Sequence, residues 1–236
     1  MFCKQCGAQI EDTATVCAKC AAPIGTSNPT AAAVTDKVKA ASKDSLQAFL
    51  KFATDPVAGL SVAYESLGAA RALSVGISFG VVFSLCVLIA AYRLIPEGIR
   101  PPGVGGFIKM LVCAFVPFVC LAGASALARL VFRGKGGLSN DSFIAGAAVL
   151  PLGCVMLLAT ILGAGNIEVI GALTVFALCL TILMLFAGCT RITMISERLA
   201  TLTVPLMLML SAWFTKIIYA AMINSAMGSP MNPMDQ

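Results

Sequence analysis

From Ala72 onward the sequence is a series of long apolar runs separated by short segments rich in glycine, proline or charge. Residues 72–92, 110–128, 142–167 and 169–190 contain no Asp, Glu, Lys or Arg, and a further apolar run over 199–215 ends at Lys216. Each approaches or exceeds the ~20 residues that a helix needs to cross bilayer hydrocarbon. The pattern predicts five spans at about 72–93, 107–131, 142–163, 168–190 and 199–222. They form a membrane domain over 71–225, followed by a short tail over 226–236. The tightest connection is Gly163-Ala164-Gly165-Asn166, a turn-forming run, with Glu168 marking the water level.

Ahead of the first span the period changes. Leu46, Phe49, Leu50 and Ala53 recur at helical spacing, with Lys43, Asp44 and Lys51 elsewhere around the helix. Asp55-Pro56 stops that helix, and Leu60, Ala63, Tyr64 and Leu67 share one face of a second short stretch. Residues 26–70 therefore read as a linker, polar and Pro-bearing at its start, leading into amphipathic helices. These helices either lie in the membrane interface or pack on the cytosolic side of the bundle. No cleavable signal peptide is expected, because the first segment is polar and cysteine-bearing.

Composition agrees with this pattern. The chain is 59% hydrophobic and 11% charged, against about a quarter charged in a soluble domain, so a soluble globular fold is excluded. The sequence has no histidine, which removes Ser/His/Asp triads, Cys/His dyads and HExxH zinc chemistry. What remains is an all-α polytopic membrane protein, a five-helix transmembrane bundle preceded by something small.

That small part is defined by its cysteines. Cys3, Cys6, Cys17 and Cys20 form CxxC-x10-CxxC, two knuckles whose thiolates can surround one tetrahedral Zn²⁺. Gly7 suits the tight turn after the first knuckle, and Ala21 takes the matching place after the second. A segment over 1–25 cannot bury enough surface to fold unaided, so the metal would supply most of its folding free energy. Four thiolates leave no open position, which makes the Zn²⁺ structural. Two disulfides or a redox CxxC are the rival readings; one needs an oxidising compartment and the other a βαβ context that is absent. Lys4, Lys19 and Phe2 are too few for a nucleic-acid reader. Cys86, Cys113, Cys120, Cys154, Cys179 and Cys189 fall singly in apolar runs and read as small hydrophobes.

Orientation follows from Lys and Arg. An N-terminus inside places Lys4, Lys19, Lys37, Lys39, Lys43, Lys51, Arg71, Arg129, Arg133, Lys135, Arg191 and Arg198 on the inner side. Arg93, Arg100, Lys109 and Lys216 then lie outside, twelve against four of the sixteen. The C-terminus is outside, and the ribbon's thiols sit in a reducing cytosol. The expected location is a prokaryotic cytoplasmic membrane.

Reactive groups within the spans are scarce. Lys216 is close enough to the outer end of its span to snorkel, and Glu97 and Glu168 read as solvated loop residues. Pro117, Pro151 and Pro205 would free carbonyls inside spans two, three and five, and Gly76 and Gly80 form a GxxxG step suited to close packing within the bundle. Asn140-Asp141-Ser142 matches a glycosylation sequon on the inner side, where it stays unmodified. With no paired carboxylates and no nucleophile beside a base, no enzymatic activity and no catalytic residue are expected.

The first 25 residues, MFCKQCGAQIEDTATVCAKCAAPIG, resemble the double-knuckle zinc ribbon that opens many prokaryotic membrane proteins. Residues 55–225 resemble the five-span Yip-domain family. The resemblance is carried by Asp55-Pro56 before a short amphipathic helix, a second span ending Ala-Arg-Leu-Val-Phe-Arg, Gly-Lys-Gly-Gly at 134–137, and a third span opening Ser-Phe-Ile-Ala and containing Leu150-Pro151. It implies no catalytic residues, and the absence of reactive groups beside a closed metal site makes a non-enzymatic membrane scaffold, with the ribbon docking a partner, the leading reading. The expected partners are the lipid bilayer and a cytosolic or membrane protein held through the ribbon, with self-association left open and no nucleic acid. The competing reading is a transporter or channel subunit for a small solute or lipid, favoured by the prolines and by Thr174, Thr181, Thr190 and Asn224.

Overall fold

The computed structural model describes residues 42–51, 54–93, 104–162 and 167–227. Cys3, Cys6, Cys17 and Cys20 lie outside these residues. So do the linker up to 41, Ala53, Glu97, the turn at Gly163–Asn166 and the tail from 228. The chain divides into two units, Met1–Ala40 and Ala41–Gln236, and the described residues all belong to the second.

Among the described residues five helices are long and apolar enough to cross a membrane, and no strand occurs. The chain is an integral membrane protein. The helices are α1 (Ala58–Arg93), α2 (Val104–Val131), α3 (Leu138–Leu162), α4 (Ile167–Ala187) and α5 (Glu197–Met227). A π-helical turn over Gly188–Ile192 ends α4. The helical run continues through Pro117, Pro151 and Pro205.

The first span begins earlier than the predicted 72–93. Asp55 caps α1, its Oδ1 accepting from the N–H groups of Val57 (3.2 Å) and Ala58 (2.9 Å), with Pro56 at a helix start that tolerates its missing donor. The helix therefore takes in the second amphipathic stretch. Gly68 breaks it with φ 69° and ψ 163°, a conformation nearly confined to glycine.

Residues 42–51 form a helix against this unit. Ala48 is buried, Phe49 packs on the core, Lys51 Nζ donates to Ser66 Oγ (2.9 Å), and Asp44 pairs with Arg71 (3.7 Å). Leu46 and Leu50 nevertheless remain exposed, so the segment both packs on the bundle and presents an apolar edge.

α3 is the centre of the bundle, packing against α1, α2 and α4, while α5 packs chiefly on α2. The contact with α1 is backbone to backbone. A Cβ on Gly76 would lie 2.5–2.6 Å from the backbone of Ser142 and Phe143, and one on Gly146 would collide with the Gly76 carbonyl. Gly80 faces the Phe118 ring of α2. The GxxxG step is thus consumed within the bundle. Thr181 Oγ1 donates to the Ala148 carbonyl across α4 and α3 (2.8 Å), and Tyr219 Oη to the Cys113 carbonyl across α5 and α2 (2.8 Å). Large side chains such as Ile161, Val175 and Leu202 point outward, as hydrocarbon-facing positions require.

Candidate functional site

The start of α1, the α2–α3 connection and the α4–α5 connection meet at one end of the bundle, which carries Arg129, Arg133, Lys135, Arg191 and Arg198. Two helix C-termini close there without glycine at the left-handed position. After α2, Arg133 has φ 54° and the Gly134 N–H returns to the Arg129 carbonyl (2.8 Å), a Schellman closure. After the π turn, Met194 has φ 56° and the Ile195 N–H reaches the Cys189 carbonyl (2.9 Å). The Lys135 N–H then donates to the Thr193 carbonyl (2.7 Å), joining the two connections.

Beneath them is a buried polar cluster. Arg129 Nε lies 3.0 Å from Asp141 Oδ2, and Ser125 Oγ donates to Asp141 Oδ1 (3.2 Å). Arg129 Nη1 donates to the Gly136 carbonyl (3.1 Å), so one guanidinium anchors both the carboxylate and the loop. On the neighbouring residue, Asn140 Oδ1 accepts from Tyr64 Oη of α1 (2.7 Å) and from Ser139 Oγ (3.2 Å). Gly136, at φ 105°, sits where a Cβ would collide with the Asn140 amide. No buried side-chain N or O atom among the described residues lacks a partner. The cluster therefore presents no unsatisfied group to a ligand and acts as a clasp holding α1, α2 and α3 in register.

Sequence reading passed over this clasp. Asp141 registers there as the middle of a sequon, and Arg129 as a topology marker and part of the second span's Ala-Arg-Leu-Val-Phe-Arg ending. A signal was available: opposite charges twelve residues apart flank a short connection, and Ser125 lies one helical turn before Arg129. Asn140 itself is buried, which closes the sequon to modification in the folded chain.

Other residues singled out by sequence are dispersed. Lys216 is exposed on α5, and Glu168 lies in the first turn of α4, where a carboxylate complements the helix dipole. Thr174 and Thr190 spend their hydroxyls on their own helix, donating to the carbonyls of Ile170 (2.8 Å) and Phe186 (2.9 Å). Cys86, Cys120 and Cys189 are buried and Cys154 and Cys179 exposed, all as free thiols. Pro151 lines a cavity of about 250 Å³ between α3 and α4 whose walls are almost wholly apolar. Among the described residues no group of three or more His, Cys, Asp or Glu side chains could hold a metal.

A zinc-ribbon domain family model matches residues 2–24, a range that contains all four N-terminal cysteines. Their donor set, four thiols in two CxxC knuckles, fits tetrahedral Zn²⁺. No Yip-domain family model matches the chain. Comparison with curated proteins and with solved structures finds no match.

Proposed function

We propose that the chain is a non-enzymatic membrane scaffold whose zinc ribbon docks a protein partner on the cytosolic side. Cys3, Cys6, Cys17 and Cys20 hold the Zn²⁺, whose role is to fold the ribbon. The observation that carries this reading is a closed four-thiolate motif attached to a bundle whose buried charge, Asp141, is already paired. Such a motif offers a surface and no open coordination position. The lack of paired carboxylates or of a nucleophile beside a base in the sequence supports the scaffold role, and the Lys and Arg distribution supports a cytosolic N-terminus. A solute-transporting subunit is less well supported, because Thr174 and Thr190 bond to their own backbone and the α3–α4 cavity is apolar.

Lys4 and Lys19 occupy variable positions within the knuckles and are not ligands. Affinity recovery in mild detergent should compare the wild type, a Lys4→Glu/Lys19→Glu chain and a chain beginning at Thr30. The reading requires that the shortened chain lose specific partners and that the double variant recover less of them with zinc content unchanged. Identical recovery by all three would remove the ribbon as the docking site.

A further inference from the structure

The cavity between α3 and α4 is bounded by Pro151, Leu173, Phe176 and Met184 on the spans, with Phe49 and Pro56 of the preceding segment closing its end. From Leu173 to Met184 the helix rises about 16 Å, close to the depth of one leaflet in a hydrocarbon core of about 30 Å. Its volume of about 250 Å³ falls below the range of ordinary small-molecule sites and suits a single chain segment. The groove is lined by membrane-spanning helices, so the medium available to fill it is acyl chain.

Its charged rim decides which lipid. Arg191, on the π turn that continues α4, is exposed, and its Nη1 reaches the Val57 carbonyl (3.4 Å), next to the groove-lining Pro56. The ion pairs among the described residues are Arg71–Asp44 and Arg129–Asp141, neither of which involves Arg191. Asp55, the carboxylate next to Pro56, is turned to the N–H groups of Val57 and Ala58. A guanidinium with no carboxylate partner among the described residues is thus held beside Pro56, a lining residue of an apolar groove about one leaflet long.

We propose that this groove holds one acyl chain of an anionic phospholipid of the adjoining leaflet, with its phosphate against Arg191. The site is independent of the docking role of the ribbon. A guanidinium provides paired donors for a phosphate, and the groove walls replace neighbouring lipid chains.

The test uses the full chain with Trp213, the single tryptophan, moved by Trp213→Phe and Phe176→Trp; Phe176 is 61% exposed and lines the groove. The chain is reconstituted into phosphatidylcholine bilayers containing equal fractions of chain-brominated phosphatidylglycerol or chain-brominated phosphatidylcholine. Brominated phosphatidylglycerol should quench the groove tryptophan with about five-fold higher apparent affinity, the scale of one basic residue facing an anionic lipid. Arg191→Gln should abolish that preference and Arg191→Lys retain most of it. Arg198→Gln, at an exposed position of the same end, should leave it unchanged. Equal quenching by the two lipids, a preference that survives Arg191→Gln, or no quenching by either lipid would overturn the proposal.

Discussion

The Nε of Arg129 lies 3.0 Å from Oδ2 of Asp141, and the two side chains are 13% and 0% exposed. Asp141 belongs to the first turn of α3, and Arg129 to the last turn of α2. The pair therefore fixes the α2–α3 hairpin at its turn end, with Ser125 Oγ also donating to Asp141 and the Gly136 carbonyl also accepting from Arg129. Desolvation offsets much of the attraction in such a pair, so its effect lies chiefly in the penalty for breaking it.

Asp141→Ala should accordingly destabilise the bundle by about 3–5 kcal/mol, because it leaves a poorly hydrated guanidinium unpaired. Asp141→Asn keeps an acceptor for Arg129 and should lose only about 1–3 kcal/mol. Replacing both residues by leucine should recover part of the Asp141→Ala loss. Unfolding midpoints in mild detergent measure all three. Equal midpoints for wild type and Asp141→Ala would show that the clasp has no stabilising role.

The α1–α3 crossing gives a second, steric expectation. Gly76→Ala would place a Cβ 2.5 Å from the Ser142 backbone, so the helices must separate, at a cost of about 1–3 kcal/mol. Gly123 of α2 has open space where its Cβ would go, and Gly123→Ala should be neutral or slightly stabilising. Thermal unfolding and size-exclusion chromatography of the two variants separate packing from self-association. If Gly76→Ala changed only the oligomeric state, the step would serve contacts between chains.

Much of the architecture was legible because a membrane imposes a simple rule. Uncharged runs of sufficient length became five helices, and the GxxxG step could be assigned to helix packing in advance. The buried ion pair was harder to see because a charge at the edge of an apolar run reads as a water-level flank. Asp141 instead turns inward, since the short connection brings it opposite Arg129. The closures at Arg133 and Met194 carry no glycine signal, and the π turn after α4 has no distinctive composition. In the segment before α1, Leu46 and Leu50 dominate the apolar pattern, yet the small Ala48 is what lets the helix approach the bundle.

Zinc removal should act on one unit alone. Cys17→Ser takes a thiolate from the ribbon, which lies within Met1–Ala40, while the five helices lie in Ala41–Gln236. Metal analysis of wild type purified under reducing conditions should give one zinc per chain, and the variant should lose it. Helical circular dichroism and detergent elution volume should be unchanged. Loss of the helical signal together with zinc would mean that the two units stabilise each other.

The proposed orientation puts the basic end of the bundle, with Lys135, on the cytosolic side and the tail beyond α5 on the other. The most direct measurement is labelling of intact cells with a membrane-impermeant thiol reagent, using the wild-type chain as background. Lys135→Cys replaces an exposed residue of the α2–α3 connection, and Ser229→Cys lies in the tail beyond α5. Ser229→Cys should label in intact cells, and Lys135→Cys only after the membrane is opened. Labelling of Lys135→Cys from outside, or protection of both positions, would contradict that orientation.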